Sequence, residues 1–425
     1  MKESFLHFIW GNGLFGDGNF RTHSGKQIKV LNPGSLNRDS GPDFFNAQIL
    51  IDGIILVGNI EIHIRSSDWY KHGHHLDAAY NNTILSVVKE NDGVVRTQQG
   101  FEVESVTLEQ ADNLYEEYLF LCNTRTQPAC AKNLETLNDS YFYLTLYSIA
   151  VERLKRKVDD VKKILHETGG DWGECLYRMI CKYWNGHINT YPFYRLALYL
   201  PYKTILKYVG NPMQIEALLF GVSGLMQYAE DDEYVKSLKK EYLFLRNKHR
   251  LTEMRNEEWK FMRIRPDAFP TVRIALLASF INKLGNFISY LPEIKDFKEF
   301  RFIFECEVSD YWKTHYLFGK TSKSRIKRPG MTLQTTLVIN AFIPFIFLYG
   351  RERNDEEMTA RALRWLEEEK AEDNFIVRKW TECGFTFDNA MQTQALIQLF
   401  REYCEKKKCL NCRLGREMFK VMSEV

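Results

Sequence analysis

Three catalytic signatures are missing from the 425 residues: no Gly-x-x-x-x-Gly-Lys-Ser/Thr loop, no Gly-x-Ser-x-Gly elbow and no His-Glu-x-x-His helix occurs. Their absence argues against nucleotide-driven motor action, α/β-hydrolase chemistry and zincin proteolysis. The glycine-rich loop at residues 11–18 is no substitute, because no strand precedes it and its glycines lack dinucleotide spacing. Long apolar runs are lacking too. The most apolar stretch, Thr336 to Tyr349, is short and carries Asn340 and Pro344, so it reads as a buried helix rather than a membrane span. The opening MKESFLHFIWGNG has one lysine and a brief apolar run, unlike a secretory leader. No fixed repeat period recurs, which favours an irregular helical array over a clean solenoid.

A large net charge is also absent: 57 basic and 55 acidic side chains leave +2. That balance hides an asymmetry. Residues 1–125 hold ten Lys and Arg against sixteen Asp and Glu, whereas the remaining 300 residues hold 47 against 39. An acidic segment joined to a basic one fits a metal site beside a polyanion-binding surface. Apolar residues at 45% and charged residues at 26% fit a globular protein, and 14% aromatics imply large cores. The length exceeds what one ordinary core spans, so more than one domain is expected. Nine cysteines, an odd number, without an export signal point to reduced thiols and a cytoplasmic location.

The pattern predicts an α+β protein: an α/β domain over residues 1–122 with a mixed sheet and helices, then a large all-α domain over 123–425. A short helix is expected over Glu3–Trp10, with strands near Gln27–Leu31, Asn46–Ile51, Ile54–Arg65, Thr83–Lys89 and Glu102–Val106. Asp52-Gly53 marks an antiparallel hairpin. Helical spacing begins at residues 107–120. A long helix reaching His166 is expected with its cap at Asn138-Asp139-Ser140, followed by helices at 171–184, 191–208, 230–249, 270–287, 295–316, 331–350, 355–368 and 387–403.

Gly41 to Asp77 is the segment richest in chemistry. Pro42-Asp43 precedes the first hairpin strand and Glu61-Ile62-His63 lies in the second. Residues 61 and 63 share one strand face, and a hairpin folds Asp43 back toward them. Two carboxylates and an imidazole so placed suit a hard or borderline divalent cation. Further on, His72, His74, His75 and Asp77 offer borderline ligands, with His74 and Asp77 the favoured pair alongside Glu61 for zinc or manganese. Asp68-Trp69 reads as a structural corner.

The run Gly41-Pro42-Asp43 … Glu61-Ile62-His63 resembles the signature of the PD-(D/E)XK nuclease superfamily over roughly residues 25–90. That resemblance implies a nuclease-like core in which Asp43 and Glu61 bind Mg²⁺ or Mn²⁺. The family's water-positioning lysine is replaced by His63, which as an imidazole has the chemistry of a ligand or base near neutral pH. The wider set GPDF, GNIEIH, SSDW, HGHHLD and AYN, with RPDAFPTVRIALLA and a cysteine-containing tail, is similar to an uncharacterised bacterial family of this length. This implies a shared two-part architecture and no known activity.

Three other groups are candidates. Cys404, Cys409 and Cys412, with Cys383 as a fourth, have spacing that suits Zn²⁺ or an iron–sulfur cluster. Lys323, Arg325, Lys327 and Arg328, in KTSKSRIKRPG, are suited to contacting the phosphates of DNA or RNA. Arg273 on an apolar helix is expected to have a buried partner. The function expected from these elements is metal-dependent phosphodiester hydrolysis of nucleic acid, with Asp43, Glu61 and His63 catalytic. The alternatives are a non-catalytic nucleic-acid-binding or scaffold protein with a residual metal site, and a hydrolase of a small phosphorylated substrate.

Overall fold

The computed structural model describes residues 1–423 apart from 38, 110, 125–127, 135–138, 187, 228, 230 and 231. It is a mixed α/β protein. The first part builds helix α1 (Glu3–Gly11) and eight strands: β1 (Asn19–Arg21), β2 (Gln27–Asn32), β3 (Ser35–Leu36), β4 (Phe44–Ile51), β5 (Ile54–Arg65), β6 (Thr83–Glu90), β7 (Val95–Arg96) and β8 (Glu102–Thr107). They form one sheet in the order β1-β2-β4-β5-β6-β8-β7, with β3 added on β4. The strands up to β5 pair antiparallel, whereas β5–β6 and β6–β8 are parallel.

The hairpin of β4 and β5 turns at Asp52-Gly53, both with positive φ, as the two-residue turns that match strand twist require. Near its open end the register slips by one residue between Phe44 and Ala47, and Asn46 takes a left-handed φ of 55°. This bulge re-aims the start of β4, where Asp43 sits. Strand β5 is central, and its stretch 58–63 is buried on both faces: Ile60 and Ile62 fill one side, while Glu61 and His63 lie on the other at 5% and 1% exposure. A carboxylate and an imidazole in such a place carry a desolvation penalty unless partners offset it.

Parallel pairing of β5 with β6 demands a crossover. Residues 66–82 supply it as three short turns: α2 (Asp68–Lys71) and the 3₁₀ turns His74–Leu76 and Ala78–Tyr80. Helices α3 (Ala111–Asn123), α4 (Ala131–Leu134) and α5 (Asp139–Glu167) follow the sheet. The expected cap residue Asn138 lies outside the described residues.

The chain divides into two compact units. Unit 1 is Met1–Leu146 with Asn374–Thr386 and Leu396–Val425; unit 2 is Tyr147–Asp373 with Phe387–Ala395. The division differs from a single break near residue 122, because the C-terminal segment belongs with the sheet. Within unit 1, Phe419 on the helix Arg413–Ser423 packs against Phe5 and Phe8 of α1, with ring centroids 6.5 and 5.6 Å apart.

Unit 2 is mostly helical. The helix expected over 191–208 breaks at Pro201 into Thr190–Tyr199 and Tyr202–Leu206, since proline removes a donor and displaces the preceding turn. The helix expected over 295–316 is a series of short turns ending in a hairpin of His315–Leu317 with Lys320–Thr321. The stretch Met331–Glu352 is long and apolar enough to cross a membrane, yet 67% of its most apolar part is buried inside the protein. Its midpoint is a π-helical segment, Val338–Phe342, where the half-buried Lys157 Nζ donates to Asn340 Oδ1 (2.8 Å) and Ile339 O (3.3 Å).

Candidate metal centre

Asp43 and Glu61 meet through two side-chain-to-backbone bonds, one to Asp43 itself and one to Ile62, the residue after Glu61. Asp43 N–H donates to Glu61 Oε2 (3.1 Å), and Ile62 N–H donates to Asp43 Oδ2 (2.9 Å). The hairpin thus sets the two carboxylates side by side. Burial raises the Glu61 pKa, with the neighbouring Asp43 charge adding to the effect and His74 opposing it.

Four imidazoles surround the carboxylates. His63 Nε2 lies 3.6 Å and His74 Nε2 3.1 Å from Glu61 Oε1, and His7 Nε2 on α1 lies 3.1 Å from Asp43 Oδ2. The ligand atoms of His63, His72 and His74 all lie within 4.8 Å of one another. His63 is almost fully buried, and neither of its ring nitrogens has a hydrogen-bond partner. Burial, followed by the charges of His74 and His72, pushes its pKa down to about 4, so at neutral pH it is an uncharged imidazole with lone pairs to offer. His7 behaves oppositely. Burial alone would lower it, but Asp43 beside it prevails and its pKa is raised.

An aromatic wall fixes the crossover. Trp69 is fully buried and donates its Nε1–H to Arg96 O (2.9 Å), anchoring α2 to the far strands. His74 stacks on Tyr80 with centroids 3.9 Å apart, and Trp69 stands edge-on to both. Between His72 and His74, Gly73 adopts φ 78°, a left-handed turn that glycine makes without strain. It lets both flanking rings approach His63, at centroid distances of 5.1 and 5.3 Å.

The remaining candidates engage other partners. Asp77 is exposed, and its carboxylate accepts from Ala79 N–H (2.9 Å), capping a turn. His75 faces Tyr70. Asp68 accepts from Arg65 N–H (3.0 Å) and from Lys71 Nζ (2.6 Å), a corner as its neighbour Trp69 suggests. In unit 2, Lys327 is buried, donating to the carbonyls of Trp312, His315 and Lys313 and lying over the Tyr316 ring. Arg325 pairs with Asp267 and Arg328 with Glu307, each at 3.0 Å, while Lys323 is exposed. Burial lowers the Arg273 pKa, with Asp267 the charge that opposes this.

Two features were not anticipated. His7 has no motif of its own and comes from a separate helix. The other is an open cleft of about 730 Å³ within unit 1, lined by His7 and Phe44 on one side and by Lys407, Lys408 and Arg416 of the C-terminal segment on another. Comparison with curated proteins and with solved structures finds no match for the chain. The model of the family described as "Protein of unknown function (DUF2851)" matches residues 3–375, and the chain belongs to that family.

Proposed function

We propose that unit 1 carries a divalent-metal centre, formed by Asp43, Glu61, His63, His72 and His74, that hydrolyses phosphodiester bonds of a nucleic acid. The observation that carries this reading is the buried His63 ring, neutral and without a partner on either nitrogen, facing two more imidazoles beside two carboxylates. Leaving buried polar atoms unsatisfied costs about 1–3 kcal/mol each, and a cation offsets that cost directly. Three imidazoles are borderline ligands, so the donor set favours Zn²⁺ or Mn²⁺ over the harder Mg²⁺. A cation held there supplies Lewis acidity and a lowered pKa for coordinated water. His7, whose pKa Asp43 raises, lies at the edge of the cleft and is the group suited to act as acid toward a departing oxygen. Lys407, Lys408 and Arg416 give the cleft a cationic wall suited to a phosphate backbone. The likeness of the Asp43–Glu61–His63 run to nuclease signatures supports the same substrate.

The test is titration of metal-free protein with Zn²⁺, Mn²⁺ and Mg²⁺ by calorimetry, followed by assays on labelled DNA and RNA with the ion that binds. One tight ion per chain is expected, weakened at least tenfold by His63→Ala or His74→Ala, together with metal-dependent cleavage lost in Glu61→Gln. Binding without cleavage of any substrate would leave a non-catalytic scaffold. Cleavage confined to a small phosphodiester would reassign the substrate. No binding by the wild type would end the metal reading.

A further inference from the structure

We propose that Cys130, Cys404, Cys409 and Cys412 together ligate an iron–sulfur cluster in unit 1. These four thiols line one small, largely apolar cavity with Leu121 and Gly415. The spacing in the tail pointed to Cys404, Cys409 and Cys412, but the fourth member comes from Cys130, which precedes α4 and lies far away in sequence. Cys383, at the end of the helix Phe375–Glu382, is not among the residues lining the cavity. The charges that act on Cys130 are those of Cys404, Cys412 and Cys409, as expected of thiols gathered around one space.

The backbone is shaped to hold them there. The chain leaves the π-helical turn Leu399–Cys404, reverses at Lys407 with a φ of 51°, and passes through the 3₁₀ turn Cys409–Asn411 into the helix Arg413–Ser423. Lys407 Nζ donates to Thr124 O (2.8 Å), tying the loop to the segment before Cys130. A Cβ at Gly415 would come within 2.3 Å of Cys409 O, so only glycine lets the helix start this close to the cysteine turn. Cys412 immediately precedes that helix, where the dipole favours a thiolate. Burial raises the thiols of Cys130, Cys404 and Cys409; each would release its proton to solvent on ligation.

Spacing selects the occupant. A single tetrahedral Zn²⁺, with Zn–S bonds of about 2.3 Å, needs its sulfurs within roughly 4 Å of one another. Among the described residues, the groups whose donor atoms all fall within 4.8 Å comprise the three histidines and not these thiols. A core of several irons and sulfides spreads its thiolates wider, and the Cys-x4-Cys-x2-Cys run is a spacing found for such cores. The loop so organised carries Lys407 and Lys408 to the cleft wall, so the cluster would be a structural clamp on that wall.

The experiment is anaerobic purification of the full chain, followed by assay of iron, zinc and acid-labile sulfide and by visible absorption. Iron and sulfide in equal amounts, about two each per chain for the plant-type core or about four for a larger one, are expected. Cys130→Ala and Cys404→Ala should lose both while keeping wild-type circular dichroism, and Cys383→Ala and Glu61→Gln should retain both. The Glu61→Gln result separates this centre from the histidine centre, which takes up no sulfide. If the cysteine variants do not fold, the wild-type sulfide content still decides. Zinc without sulfide, no metal, or retention of both iron and sulfide in Cys130→Ala would overturn the assignment.

Discussion

Burial leaves the His63 imidazole in a state that the surrounding side chains do not relieve, and this has a measurable pH signature. The unfolded ring titrates near 6.5 and the folded one at about 4. Between those values the unfolded state holds the extra proton, so stability rises with pH across the window and is lost as pH falls from 6.5 toward 4. The difference is on the order of 3 kcal/mol. Metal-free wild type should therefore show a steeper fall in Tm over that range than His63→Gln; parallel curves would mean the ring charges freely inside the fold. At this scale the sequence disclosed Asp43, Glu61 and His63, because alternation along a strand and a hairpin turn are local rules. His7 stayed hidden, since a single histidine on an amphipathic helix carries no sign of what the helix packs against. Asp77, expected as a ligand from the same stretch, accepts from the backbone N–H two residues on, a local bond that an aspartate ahead of a tight turn readily forms.

Among the elements, the crossover between β5 and β6 does most to assemble the centre, and Gly73 is its weak point. An alanine there must hold a left-handed φ, a strain of about 1 kcal/mol, with no clash to add to it. Gly73→Ala is expected to cost a few degrees in Tm and at least tenfold in cation affinity, as the rotation between His72 and His74 relaxes. Unchanged affinity in calorimetry would show that the turn does not set the ligand geometry. The strands of the sheet were readable from alternation and from Asp52-Gly53. The bulge at Asn46 was not, because it depends on pairing with β5 rather than on composition. The helix Pro212–Val222 escaped notice because, Gln214 and the buried Glu216 apart, its residues are apolar and show no 3.6-residue stripe, although Asn211 caps it and Pro212 opens it.

For the molecule as a whole, the sheet-bearing unit is completed by residues from the far end of the chain. Phe419 is fully buried against α1, so Phe419→Ala should destabilise unit 1 by about 3–5 kcal/mol. Removing residues 396–425 should leave the sheet open to limited proteolysis while unit 2 keeps its protection; equal resistance of the sheet in both forms would refute this. Charge and spacing could not reveal this closure, because nothing local in EMFKVM names its partner. There is a consequence for biosynthesis. A ribosome releases α1 and the sheet early, then makes every residue of unit 2 before the helix Arg413–Ser423 emerges. Throughout that interval Phe5 and Phe8 lack the ring that covers them, a condition that invites chaperone capture or aggregation. The cleft lacks its lysine-bearing wall for just as long, because Lys407, Lys408 and Arg416 all follow unit 2 in the chain.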